Sequence, residues 1–215
     1  MLQGKLNVKI NVKYKGYKRW KHGISRLLSL VALIVFSPIL FFIALIIKCS
    51  DIKSPVLFKQ QRVGKNGVIF NMYKFRTMHV DAEEQLKNYL EENDVRGAMF
   101  KLKNDPRVTK IGKFLRKTSI DELPQLWNVV NGSMTLIGPR PPLPREVAEY
   151  TTYDKQRLTV VPGCTGLWQV SGRNELSFRE MVELDLIYIK NISFKMDVKI
   201  ICRTILVMFN SKGAY

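Results

Sequence analysis

Two carboxylates stand side by side at Asp121 and Glu122, inside a run that opens on Arg116 and closes on the turn Gly138-Pro139-Arg140-Pro141. Ser119 followed by Glu122 fits the serine-x-x-glutamate capping box, which predicts a helix opening at the dyad and running through Leu126, Trp127 and Val130 to a stop at Gly132. Pro124 is tolerable only in the first turn of such a helix. A carboxylate held as the anion at a helix start can attack phosphorus or serve as a hard oxygen ligand for Mg2+. A plain surface cap accounts for Glu122 as well, so the pair alone leaves both readings open. Arg140 lies between two prolines that fix its backbone, presenting a planar fork suited to phosphate oxygens or to a neighbouring carboxylate.

Around these residues the chain supplies a set of positioning elements. From Leu27 to Ile47 run 21 uncharged residues, sixteen of them Leu, Ile, Val or Phe; as a straight helix they would reach about 31 Å, enough to cross the hydrocarbon. Pro38 deprives the Ile34 carbonyl of its helical partner and Ser37 can satisfy the freed group, so a kink is expected mid-segment. Lys and Arg crowd both flanks, which disfavours sending either end across a membrane. A Pro-kinked span and a segment that enters, bends at Ser37-Pro38 and returns are the two readings left.

Residues 56–76 read as a β-hairpin about the turn Gly64-Lys-Asn-Gly67. Residues 81–95 read as an acidic amphipathic helix with Leu86 and Leu90 on one face, and Lys110 to Arg116 as a short basic helix leading into the dyad. Near the C-terminus Lys195, Lys199 and Arg203 recur every four residues beside Met196, Ile200, Ile201, Leu206 and Val207. This basic, amphipathic helix suits either the headgroup plane or a core seat.

The chain has 215 residues and a net charge of +17, with nine Lys or Arg and no acid in residues 1–50. A polybasic stretch beside an apolar run faces anionic lipid more naturally than nucleic acid. Cys49, Cys164 and Cys202 show no metal-like spacing and read as reduced thiols, and His22 and His79 stand isolated. Lys48-Cys49-Ser50 does not look like a signal cleavage site. The sequence carries no Walker A sequence, dinucleotide fingerprint or internal repeat, and nothing in it suggests a second globular unit.

One ordered series of motifs resembles the bacterial sugar transferases, the monotopic phosphoglycosyl transferases that prime glycan assembly on a polyprenol phosphate. The series runs Ser37-Pro38, Met72-Tyr-Lys-Phe-Arg-Thr-Met78, Asp105 to Arg116, Asp121 to Asn128, Gly138 to Pro141, Pro162 to Asn174, then Glu183-Leu-Asp185 before Tyr188. The resemblance covers roughly residues 20–210 and looks like the minimal catalytic form.

It implies a mixed α/β fold, mainly helical with a small β-hairpin or sheet. A basic segment over 1–23 would precede a re-entrant helix-break-helix over 24–50, and a catalytic domain over 51–215 would lie at the cytoplasmic face of the bacterial inner membrane. The implied reaction moves a sugar 1-phosphate from a UDP-sugar to undecaprenyl phosphate, with Asp121 as nucleophile and Glu122 binding Mg2+. Arg140 between Pro139 and Pro141, then Arg116, Arg76 and Lys74, would meet phosphate; Gln169, Arg173 and Asp185 would lie near uridine, sugar or metal. Membrane lipids are the further partner and nucleic acid is not, while the hexose, the downstream glycan and a homodimer stay open. The competing readings are a non-enzymatic basic membrane module and a transferase that moves the sugar alone, releasing UDP.

Overall fold

The computed structural model describes residues 15–85, 89, 102, 105–172 and 176–209. Its elements are mainly helical with two small pairs of strands, as the sequence leads one to expect. Helix α1 (Lys15–Ser50) is followed by the hairpin β1 (Leu57–Val63) and β2 (Ile69–Phe75), and by the single turn α2 (Ala82–Gln85). Then come α3 (Lys110–Lys117), a 3-10 turn over Ile120–Glu122, α4 (Gln125–Val130), β3 (Thr135–Ile137), α5 (Pro144–Ala148) and β4 (Gly163–Thr165). Two longer helices, α6 (Phe178–Lys190) and α7 (Phe194–Phe209), close the described chain.

The hairpin is antiparallel, with Lys59 opposite Tyr73 and Gln60 opposite Met72. Its turn places Asn66 and Gly67 at positive φ, which these two residue types tolerate and which matches the twist of the strands. β3 and β4 pair in parallel, Thr135 opposite Gly163. They approach so closely that a Cβ on Gly163 would sit 2.0 Å from the Gly138 nitrogen, so only glycine fits.

Three clusters make the core. Ile137 of β3 packs with Val182, Leu186 and Ile189 of α6 and Ile200 of α7. Met72, Val129 and Met134 join β2 to α4. Ile47 near the end of α1 packs on Phe75 and Leu115, with Leu40, Ile43 and Ala44 beside it. Such burial contributes about 1.5–3 kcal/mol per large apolar side chain.

α1 departs from the expected break: it runs unbroken through Ser37 and Pro38. The reason is local, because Ser37 Oγ donates to the Ile34 carbonyl at 2.7 Å, the group that Pro38 leaves without a partner. α1 is the one helix among the described residues that is long and apolar enough to cross a membrane. Its outward residues Leu27, Ile34, Val35, Phe41 and Phe42 are all more than 60% exposed, an apolar surface that belongs in lipid rather than water.

Both ends of α1 rest on the same folded body. At the N-terminal end Lys21 pairs with Asp197 at 2.8 Å, Tyr17 donates to the same carboxylate, and Ser25 meets Thr135 at 3.0 Å. At the C-terminal end Ile47 is buried and Lys48 donates to the Ser54 carbonyl at 3.2 Å. α7 takes the core seat through Ile200, 1% exposed, while Phe194, Val198, Ile205 and Leu206 face outward. Of the acidic helix expected over 81–95 the described residues are Asp81 to Gln85, with the helical turn Ala82–Gln85, and Tyr89; Leu86 and Leu90 lie outside them.

Candidate active site

The dyad sits on the 3-10 turn between α3 and α4. The expected capping box does not form, and Ser119 makes no side-chain cap. Its backbone is left-handed (φ 56, ψ 16), whereas a capping residue needs an extended conformation to aim its oxygen at the turn's amides. A non-glycine residue held there stores strain of order 1 kcal/mol beside the carboxylates. Helix α4 starts only at Gln125, with Pro124 as its first flanking residue, and ends before Gly132 at φ 87.

Freed from capping, Glu122 faces cations. Lys74 Nζ lies 2.6 Å from its Oε1 and Arg140 Nη1 lies 3.7 Å from the same oxygen. Lys74 comes from β2, which is stapled to α4 by Asn128, 1% exposed: its Oδ1 accepts from the Tyr73 amide at 3.0 Å and its Nδ2 donates to the Asn71 carbonyl at 2.8 Å. Arg140 is held by its prolines. The Pro139 carbonyl accepts from the Gly163 amide at 2.9 Å, and the Pro141 carbonyl accepts from Arg62 Nη1 at 3.0 Å. Each fastens the loop from behind to a different strand pair.

These groups border one cavity of about 1360 Å³, which Asp121, Glu122, Lys74, Arg76, Arg116, Arg140 and Gln169 all line. Arg116 Nε donates to Thr77 Oγ1 at 3.0 Å, and α3 reaches that segment because Gly112 leaves room: a Cβ there would lie 2.0 Å from the Thr77 carbonyl oxygen. Arg76 Nε donates to the Pro55 carbonyl at 2.9 Å. Arg62 is the cation that the sequence reading missed. It is 7% exposed and lines the same cavity, and its Nε meets no hydrogen-bond partner. Nothing in its local sequence, Gln-Gln-Arg-Val, marks it out.

The two carboxylates behave oppositely. Burial pushes Asp121 up to about 6, and the neighbouring Glu122 charge adds to that rise against the opposing fields of Lys74, Arg116 and Arg140. Burial works against the Glu122 anion too, but Lys74 and Arg140, helped by Arg62, outweigh it and hold Glu122 down to about 2. Adjacent acids driven apart in this way mark a division of labour. Burial pushes the Cys164 thiol up to about 12, so this cavity-lining cysteine stays a neutral filler.

One expected residue does not join the site. Asp185 is fully buried on α6, paired with Arg157, and does not line the cavity; burial raises it to about 6 despite that guanidinium. An interior ion pair is its setting rather than a substrate contact. Arg173 lies outside the described residues.

Mg2+ is the cofactor that the family resemblance implies. Both cationic contacts of Glu122 fall on Oε1, leaving Oε2 and the Asp121 carboxylate. Mg2+ is commonly held by one or two carboxylates, with waters and substrate phosphates completing its shell, so the residues fit. No cluster of three or more His, Cys, Asp or Glu stands among the described residues, so the protein alone offers no full cage.

The sequence profile of the family described as bacterial sugar transferase matches residues 16–211. The galactosyl transferase CpsE of Streptococcus agalactiae is 54% identical over 161 residues, covering 74% of this chain and 36% of the relative. The undecaprenyl-phosphate galactose phosphotransferase of Salmonella typhimurium is 39% identical over 98% of this chain and 44% of its own length. The exopolysaccharide production protein ExoY of Rhizobium meliloti is 41% identical over 91% of this chain and 88% of the relative. The chain therefore spans less than half of the first two relatives and most of the third.

Proposed function

The chain belongs to the bacterial sugar transferase family, and from that premise we propose that it moves a sugar 1-phosphate from a UDP-sugar to undecaprenyl phosphate, releasing UMP, as the priming step of a surface glycan. The observation that carries this reading is the pair Asp121 and Glu122, pushed in opposite directions inside one cation-lined cavity. Both substrates are anionic, so positioning and charge neutralisation must supply most of the rate.

An Asp121 oxygen attacks the β-phosphorus of the UDP-sugar, forming an acyl phosphate. The bond from that phosphorus to the bridging oxygen breaks, and UMP leaves with the electron pair. A phosphate oxygen of the acceptor lipid then attacks the same phosphorus, and the Asp121 carboxylate departs unchanged. Arg140, Lys74 and Arg62 hold phosphate oxygens during both displacements, while Arg116 keeps Asp121 from rising further toward the neutral acid. Glu122 would hold a Mg2+ ion, whose charge would shield the diphosphate and the departing UMP.

The same premise favours a re-entrant α1 over a crossing one. Lys21 and Ile47 contact one folded body at opposite ends of the apolar stretch, whereas a crossing helix would put these contacts on opposite sides of the hydrocarbon. Ser37 bonding to the Ile34 carbonyl supplies the site where lipid would let the helix bend. Both ends then face the cytoplasm, and the dyad meets the headgroup plane where a polyprenol phosphate presents its charge.

The test is a panel of UDP-glucose, UDP-galactose and UDP-N-acetylhexosamines with undecaprenyl phosphate and Mg2+. UMP and a lipid-linked sugar diphosphate are expected from one member of the panel. Release of UDP would establish transfer of the sugar alone, and metal-independent lipid binding that merely falls with salt would establish a basic membrane module.

A further inference from the structure

Resting on that reading, we propose that the apolar end of the cavity, between α1 and α7, is a seat for the first isoprene units of the acceptor lipid. The cavity has two chemical ends. One carries Lys74, Arg116, Arg140 and the dyad; the other is walled by Leu28 and Ala32 of α1 and by Ile201 and Ile205 of α7. The one hydroxyl on the α7 wall, Thr204, is already spent on Thr165 Oγ1 and on the Ile200 carbonyl, both at 2.8 Å. That wall therefore presents hydrocarbon alone to an occupant.

The two walls are pinned together where Lys21 of α1 meets Asp197 of α7. Two to three turns further along α1, and one to two along α7, the same helices flank the cavity. Leu28 is 51% exposed and Ile205 50%, and beyond them Leu27, Val31 and Leu206 extend the apolar surface outward. The same cavity thus reaches from these exposed apolar residues of α1 and α7 to the phosphate site. An occupant must carry an anion at one end and a long apolar chain at the other, and must arrive from the hydrocarbon. A UDP-sugar has no such chain, whereas the polyprenyl phosphate acceptor has both parts.

A chain leaving the bilayer for this seat exchanges one apolar surrounding for another, so the gain in affinity is small. The gain is orientation: gripping the first units aims the phosphate at the phosphorus carried on Asp121.

The experiment uses the full chain in nanodiscs with undecaprenyl phosphate bearing a diazirine on its first isoprene units. Photolabel on Leu28, Ala32, Ile201 or Ile205 is expected; label confined to the outward residues Ile34, Val35 and Phe41 overturns the seat. Ala32→Trp and Ile205→Trp fill it from opposite walls. With undecaprenyl phosphate their kcat/KM should fall roughly tenfold or more, while turnover of methyl phosphate, an acceptor with no isoprene unit to seat, falls much less. An equal fall for both acceptors, or none, counts against the seat. A wild type that releases no UMP from any UDP-sugar refutes the proposed function itself, separately from the placement of the lipid.

Discussion

Removing the charge from each of two adjacent carboxylates should change stability in opposite directions. The rise of Asp121 from its ordinary 3.8 to about 6 corresponds to about 3 kcal/mol of destabilisation at ~1.4 kcal/mol per pH unit. Between about pH 4 and pH 6 the folded protein binds more protons than the unfolded chain, so stability falls as pH rises through that window and the penalty is complete above it. Asp121→Asn removes the penalty, although its amide then points donors at other donors, which leaves a gain of about 1–2 kcal/mol at pH 7.5. Glu122 runs the other way: held down at about 2, its charge stabilises the fold above its ordinary 4.5, and that support is lost as pH falls toward 2. Glu122→Gln strips Lys74 of its partner. With the Glu122 side chain 30% exposed, a loss of about 1–3 kcal/mol is expected after allowance for solvent. Melting midpoints in detergent at pH 5 and pH 7.5 read both effects, at about 2–4 °C per kcal/mol for a chain of this size. The Asp121→Asn gain should shrink at pH 5. Equal destabilisation by the two variants, or a gain that ignores pH, would refute the electrostatic reasoning.

Transfer should require ionised Asp121, so kcat/KM for the UDP-sugar should rise about tenfold per pH unit below roughly pH 6 and level off above it; a flat profile from pH 5 to 8 would contradict this. Asn128→Ala breaks the staple between β2 and α4 and leaves buried amide groups without partners. It should cost about 2–4 kcal/mol in urea titrations and lower activity further by freeing Lys74 from Glu122. Exposed Cys49, at the end of α1, should resist a membrane-impermeant thiol reagent in intact cells. Pro38→Ala, which restores the helical bond to Ile34, should turn the segment into a straight span and make Cys49 reactive from outside.

What the sequence made legible was what local rules decide. The hairpin about Gly64 to Gly67 and the basic helix before the dyad depend on turn chemistry and short-range periodicity, and both stand where expected. The Ser-x-x-Glu signature shows where such rules stop. At Ser177 and Glu180 it closes a true capping box on α6, while at Ser119 and Glu122 it does not. The difference is the left-handed backbone at Ser119, imposed where α3 turns directly into the 3-10 turn, together with Lys74 and Arg140 arriving from distant strands. At Pro38 a local side-chain bond decided the outcome: the helix continues there because the Ser37 hydroxyl satisfies the orphaned Ile34 carbonyl. Of the site, Asp121, Glu122, Arg140, Arg116, Arg76, Lys74 and Gln169 gather around one cavity, whereas Asp185 turns inward to Arg157. Arg62 was invisible because its part in the site comes from burial behind the Pro-Arg-Pro loop, which no spacing encodes.

The central claim is that Asp121 carries the phosphosugar between donor and acceptor. Incubating the purified protein with UDP-sugar and Mg2+ but no lipid, then measuring intact mass and mapping the labelled peptide, addresses it directly. Wild type should release about one UMP per active site and gain the mass of one phosphosugar on the peptide containing Asp121, and Asp121→Asn should gain none. UMP that appears only after lipid is added, or an adduct that forms on the Asp121→Asn protein, would contradict it.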